Sequence, residues 1–198
     1  MTWVGLGLLC YAIGSLPTAY LLTRYNLGRD IREIGDFNSG AANVFRNVGA
    51  KAGIAVGAID IIKGALVIVL AKTLVDDTGM EMMAGAAALA GHIFPAHLKF
   101  KGGRGAATAV GVLIASLPMI GLPIGVAGLL VLYFTHKAIY PLAVFLVAIP
   151  VLAYPVGYSP ALAVYSVSIP MAVGMSHFFT TRMLNPGSDK NAGSARET

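Results

Sequence analysis

Residues 106–135 read AATAVGVLIASLPMIGLPIGVAGLLVLYFT, and no Asp, Glu, Lys or Arg interrupts them. How these 30 residues are divided decides the topology of the chain. One continuous helix would be about 45 Å long, whereas the apolar core of a bilayer is about 30 Å thick. Pro118, Gly121 and Pro123 lie near the middle. Proline removes a backbone donor and glycine loosens the chain, so the stretch is expected to fold back as a tight helical hairpin. Two short spans then replace one long one.

Outward from this stretch, apolar runs recur at 3–22, 54–71 and 80–98 on one side, and at 138–154 and 161–179 on the other. Of the 198 residues, 57% are hydrophobic and only 12% charged, and the mean hydropathy is +0.75. A soluble domain carries roughly a quarter charged residues, so most of this surface is expected to face lipid. The formal charge of +5 does not point to nucleic acid, because the basic residues sit in short loops between apolar runs. A single cysteine, Cys10, excludes a disulfide framework. Residues 1–22 lack a positive start, so no cleavable signal is expected.

Charge sidedness favours the hairpin. With seven spans, one side receives Arg24, Arg29, Arg32, Arg46, Lys51, Lys99, Lys101, Arg104, Lys137, Arg182, Lys190 and Arg196. The other receives Lys72, beside Asp76, Asp77 and Glu81. That is a positive-inside pattern. The expected fold class is therefore all-α: a polytopic membrane protein of seven transmembrane helices, N-terminus outside and C-terminus cytoplasmic. Residues 1–181 would form a single transmembrane domain and 182–198 a polar cytoplasmic tail. Gly49, Gly53 and Gly57 recur every four residues, as a small-residue stripe for helix packing would.

Two loops carry residues suited to phosphate. The first, 35–46, reads GDFNSGAANVFR. Its small residues admit close backbone approach, its asparagines offer donors and acceptors, and Arg46 can grip a phosphate at two points. An ordinary solvated loop is the alternative. The second, 91–105, reads GHIFPAHLKFKGGRG. Consecutive glycines ahead of a helix let backbone N–H groups converge on an anion, and Lys101 and Arg104 add full charges. The alternative is a basic anchor for anionic lipid. His92 and His97 lack the companions that zinc requires, so His92 is read as a proton acceptor or phosphate contact and no metal is expected. Asp60 and Lys63, three residues apart in an apolar run, share one helix face and are read as a structural pair. His177 and Arg182 close the last span, and Arg182 reads as a topological anchor.

Taken in order, these residues resemble the bacterial membrane acyltransferases that use acyl phosphate to acylate glycerol 3-phosphate. The resemblance runs from about residue 11 to 111. It includes Gly14-Ser15-Leu16-Pro17, Asp30, Arg32, Asn38, Gly40-Ala41, Asn43, Arg46, Asp60, Lys63 and Gly64. It is closest over Gly91-His92, Pro95 and Phe100-Lys101-Gly102-Gly103-Arg104-Gly105, then Ala107-Thr108. The sequence departs from the family's Gly-Ser-Gly-Asn-x-Gly-Ala-Thr-Asn motif at Asp36, Phe37 and Ala42. Of a later His, Glu and Asn motif only His177 remains.

The resemblance implies a seven-span fold in a bacterial inner membrane with its site at the cytoplasmic face. Acyl phosphate and glycerol 3-phosphate would be the substrates, with no metal, nucleotide or other cofactor. Lysophosphatidate and phosphate would be the products. His92, Asn38 and Asp36 would serve catalysis. Arg46, Asn43, Lys101, Gly102, Gly103, Arg104 and His177 would hold substrate and phosphate. Two other readings stay open: a relative with another phosphorylated substrate or no catalysis, and a small transporter with Asp60 and Lys63 lining its pathway.

Overall fold

A computed structural model describes residues 2–75, 77–135 and 139–182. Among them every regular element is helical: α1 (Trp3–Gly14), α2 (Thr18–Leu27), α3 (Ala41–Asn47), α4 (Ala50–Leu74), α5 (Thr78–Ile93), α6 (Ala106–Ser116), α7 (Pro118–Thr135), α8 (Ile139–Ala153) and α9 (Pro160–Arg182). Single 3-10 turns lie at Ile31–Glu33 and Ala96–Leu98. The sequence readings of Asp76, of Lys137 and of residues 183–198 lie outside the described residues.

The uncharged stretch does divide. Leu117 leaves helical geometry at φ −126°, ψ 62°, directly before Pro118. A residue preceding proline is pushed out of the α region, so α6 ends there and α7 begins. Pro123 and Gly121 lie inside α7 rather than in the turn, and Gly121 brings α7 against the Ile114 backbone. Proline acts similarly at Pro95: the apolar run 80–98 ends as a helix at Ile93, and its last residues form the second 3-10 turn. The first apolar run breaks at Ser15-Leu16-Pro17, and α2 extends the helix five residues beyond residue 22.

Among the described residues, four segments are long and apolar enough to cross a membrane: 3–27, 50–74, 118–135 and 160–180. Residues 106–116 and 139–153 are shorter apolar helices. Outward-facing apolar side chains such as Leu8, Ile62, Val69, Leu129, Val147 and Val164 are all at least half exposed, as a lipid-facing belt would be.

Small residues set the closest helix contacts. A Cβ on Gly14 would overlap the Ala88 carbonyl and one on Gly91 the Tyr11 carbonyl, so α1 and α5 meet backbone to backbone. Gly64 meets Thr108 and Gly111 meets Ile61 in the same way, joining α4 to α6. The glycine stripe predicted on α4 contributes less than expected. Only Gly53 makes a close approach, to Phe45 of the short α3, whereas Gly57 has ordinary contact and Gly49 none within 4 Å. A small apolar cluster, Ala19, Ile31, Val44 and Val56, buries the underside of the 30–49 segment against α2 and α4. Each fully buried aliphatic there contributes about 1.5–3 kcal/mol. That cluster fixes where the first polar loop sits.

Candidate active site

Both polar loops lie at the same end of the bundle and touch. Arg32 is the first bridge. Its guanidinium pairs with Asp30 at 2.6 Å, and its Nη1 donates to the Leu98 carbonyl at 3.0 Å across the loops. The guanidinium also holds the Asp30 carboxyl below the usual carboxylate range, chiefly through this hydrogen bond. Tyr11 is the second: its hydroxyl donates to the Phe94 carbonyl at 2.6 Å and accepts from the Ala96 amide at 3.1 Å. It pins the start of the second loop to α1.

The first loop is organised by Asn43. Its Nδ2 donates toward the Ile31, Ile34 and Asn38 carbonyls at 3.3, 2.9 and 2.9 Å. Its Oδ1 accepts from the Asp36 amide at 3.1 Å and from Asn47 Nδ2 at 2.8 Å. The side chain is fully buried. Asn43, expected to hold substrate, here directs its amide group into the fold of the loop. Asn38 differs. It is 6% exposed, and its Oδ1 has no hydrogen-bond partner among the described residues. Such an acceptor suits a hydroxyl supplied by a ligand.

Asp36 pairs with Arg46, and both lie at the surface. Phe37 takes φ +54°, the left-handed region that the family motif fills with glycine.

The second loop also differs from expectation. The Gly102 and Gly103 amides donate to the Ile93 and His92 carbonyls, each at 3.1 Å. They cap the end of α5, and both glycines are closely packed there. A Cβ on Gly102 would overlap the His92 carbonyl, and one on Gly103 would strike the His92 ring and lie 2.6 Å from the Ser39 carbonyl. Lys99 and Phe100 both adopt positive φ, near +56° and +59°, and so shape a tight turn ahead of the exposed Lys101. Arg104 is half-buried. Burial pushes its guanidinium below the usual arginine range; Asp36 opposes this and Arg46 adds to it. His177, at the exposed end of α9, feels the charge of Arg104. Asp36, Arg46, Arg104 and His177 thus belong to one electrostatic neighbourhood.

Beneath the loops a small cavity is lined by Ser15, Thr18, Ser39, Asp60, His92 and Gly103, among others. Asp60 and Lys63 pair at 2.8 Å, as their spacing predicts. They are 2% and 4% exposed and bond onward to Thr18 and to the Leu16 carbonyl. A pair closed on itself in this way gives no support to a transport pathway. Sequence reasoning gave no site role to Tyr11, Thr18 or Thr108. Thr108, directly after the glycine loop, carried a signal in its place beside the loop; Tyr11 and Thr18 carried none beyond flanking the Gly14–Pro17 break.

A profile of the glycerol-3-phosphate acyltransferase family matches residues 4–187. Glycerol-3-phosphate acyltransferase 4 of Dehalococcoides mccartyi is 44% identical over 179 residues, 88% of this chain and 95% of its own. Glycerol-3-phosphate acyltransferase of Endomicrobium trichonymphae is 32% identical over 171 residues, 86% and 85% of the two chains. The fold is similar to crystal structures of PlsY (YgiH), an integral membrane glycerol 3-phosphate acyltransferase. Its glycerol 3-phosphate form superposes with a TM-score of 0.79 at 26% identity, covering 93% of this chain and 92% of that one. Its lysophosphatidic acid form gives 0.76 at 25% identity, with the same coverage. With the paired loops, the helical membrane architecture and relatives matched along nearly their whole length, the chain belongs to the glycerol-3-phosphate acyltransferase family and is an acyltransferase.

Proposed function

We propose that this acyltransferase moves a fatty acyl group from acyl phosphate to the 1-hydroxyl of glycerol 3-phosphate, giving lysophosphatidate and inorganic phosphate. The site would face the cytoplasm from a seven-span fold in a bacterial inner membrane, N-terminus outside and C-terminus cytoplasmic. The observation that carries this reading is the meeting of the two loops, with Arg46, Lys101 and Arg104 at one end of an apolar bundle. Their cations suit two phosphate-bearing substrates, one of them delivered from lipid. The acceptor hydroxyl oxygen would form the new bond to the acyl carbonyl carbon. The carbon–oxygen bond to phosphate would break, and phosphate would leave with the electron pair. His92 or the leaving phosphate would take the hydroxyl proton. Asn38 Oδ1 would accept a hydroxyl of the glycerol. Neither nucleic acid nor a metal or other cofactor enters the scheme.

The test is phosphate release from palmitoyl phosphate by protein purified in detergent, with and without glycerol 3-phosphate. Release that requires the acceptor and falls by about a hundredfold in Lys101→Ala or Arg104→Ala supports the reading. A folded protein that releases nothing, even as Asp36→Ser/Phe37→Gly, would refute the donor and acceptor named.

A further inference from the structure

Thr18, Asp60, Lys63, His92 and Thr108 meet beneath the loops, and each is at most 8% exposed. Asp60 Oδ1 accepts from Lys63 Nζ at 2.8 Å and from Thr18 Oγ1 at 3.2 Å. Lys63 donates in addition to the Leu16 carbonyl, at 3.1 Å, in the break between α1 and α2. The same carboxylate oxygen faces His92, whose Nδ1 lies 3.7 Å from it and 3.1 Å from Thr108 Oγ1.

A lone pair on Nδ1 would oppose the lone pairs of a buried carboxylate. A hydrogen there faces the negative charge and gives Thr108 Oγ1 a donor. In the neutral ring the hydrogen then sits on Nδ1 and the lone pair on Nε2. Nε2 lies against Gly103, close enough that a Cβ on that residue would overlap it, and the Ser39 carbonyl approaches the same point. Ser39 belongs to the first loop and Gly103 to the second, so the lone pair faces the seam between them. A buried ion pair adds little stability over well-packed apolar residues, so folding alone does not call for Asp60 and Lys63.

We infer that Asp60, held by Lys63 and Thr18, is a positioning residue that sets the tautomer and orientation of His92. The Nε2 lone pair is thereby presented to the inter-loop cavity, where it takes the hydroxyl proton as the acyl carbon–oxygen bond forms and phosphate departs. The role of that proton transfer rests on the acyl-transfer reading; the tautomer does not.

The experiment compares the wild type with Asp60→Asn/Lys63→Met, which removes both charges together, in detergent micelles. Side-chain 15N NMR of histidine-labelled protein, with the His92 signal assigned from its loss in His92→Gln, reports the tautomer. The wild type is expected to show Nδ1 protonated and Nε2 bare. The double variant is expected to melt within a few degrees of wild type, show a mixed tautomer, and lose about a hundredfold in kcat with KM for glycerol 3-phosphate within about threefold. Should it fail to fold, Thr108→Val leaves the ion pair intact and removes the second oxygen facing Nδ1; it is expected to shift the His92 signals and lower kcat. A wild-type ring protonated on Nε2, or variants that keep both the tautomer and kcat, would overturn the proposal. A wild type inactive with palmitoyl phosphate would count against the acyl-transfer reading, while the tautomer still decides this one.

Discussion

Asn43 separates a residue that builds the site from one that binds in it. Asn43→Ala removes two amide hydrogens that reach the Ile31, Ile34 and Asn38 carbonyls, and an oxygen that serves the Asp36 amide and Asn47. Two donors and two accepted bonds make about four hydrogen bonds, each contributing about 1 kcal/mol. With the side chain fully buried, no water stands ready to replace them, so the loss is about 4 kcal/mol. In a chain of this length that corresponds to a melting-temperature drop of about 8–16 °C. Asn43→Asp is expected to be at least as harmful, since it turns a carboxylate oxygen toward three carbonyls. Scanning thermal unfolding in detergent measures the drop, and phosphate release against glycerol 3-phosphate concentration measures the kinetics. The scaffold role predicts loss of stability together with kcat. An Asn43→Ala protein that melts like wild type and shows only a raised KM would refute it and return Asn43 to the substrate.

Gly111→Ala pushes a methyl group into the Ile61 carbonyl and is expected to cost about 1–3 kcal/mol; Gly174→Ala, with nothing within 4 Å of the new Cβ, should gain about 0.5–1 kcal/mol. Thermal unfolding of both variants checks the contrast. The Asp30 carboxyl is held below its usual range by Arg32, so its stabilisation is complete above the unfolded value of about 3.9 and is lost as pH falls through the lower folded value. Wild type should therefore lose stability below about pH 4 more steeply than Asp30→Asn, which should be the weaker protein at pH 7. Asp36→Ser/Phe37→Gly should lower KM for glycerol 3-phosphate by at most about fivefold with kcat unchanged, read from the same phosphate-release assay.

The apolar runs and prolines made the helices legible: Pro118 divides the 106–135 stretch and Pro95 ends α5. Chain boundaries drifted where polar residues continue a helix, as from Thr23 to Leu27 in α2. The basic residues were harder to sort, because a cation that orients the chain and one that binds phosphate look alike in sequence. Packing sorts them. Arg32 is committed to Asp30 and Leu98, Lys63 to Asp60 and Leu16, and Lys72 to the Ala115 carbonyl and Glu81. Arg46 and Lys101 stay at the surface of the loops. The hydrogen bonds of Asn43, Gly102 and Gly103 could not be read from spacing, because they depend on which carbonyls the folded loop brings near.

On the proposed reading Asp36 stands where the family motif places a serine, and a bare carboxylate there would repel a phosphate dianion. It is not bare. Arg46 pairs with it, and their side chains are 36% and 54% exposed. A pair so open to water holds together by about 0–1 kcal/mol. A phosphate, with more charge and a geometry matched to a guanidinium, can take Arg46 from it. The exchange costs at most about 1 kcal/mol, or roughly fivefold in an equilibrium constant. In the proposed scheme Lys101 and Arg104 would add attraction of their own. On the proposed reading the carboxylate would act as a competitor for one arginine rather than as a block. Its effect would then fall on the affinity for the phosphate substrate, with the proposed catalysis, and so kcat, left to the groups at the loop seam.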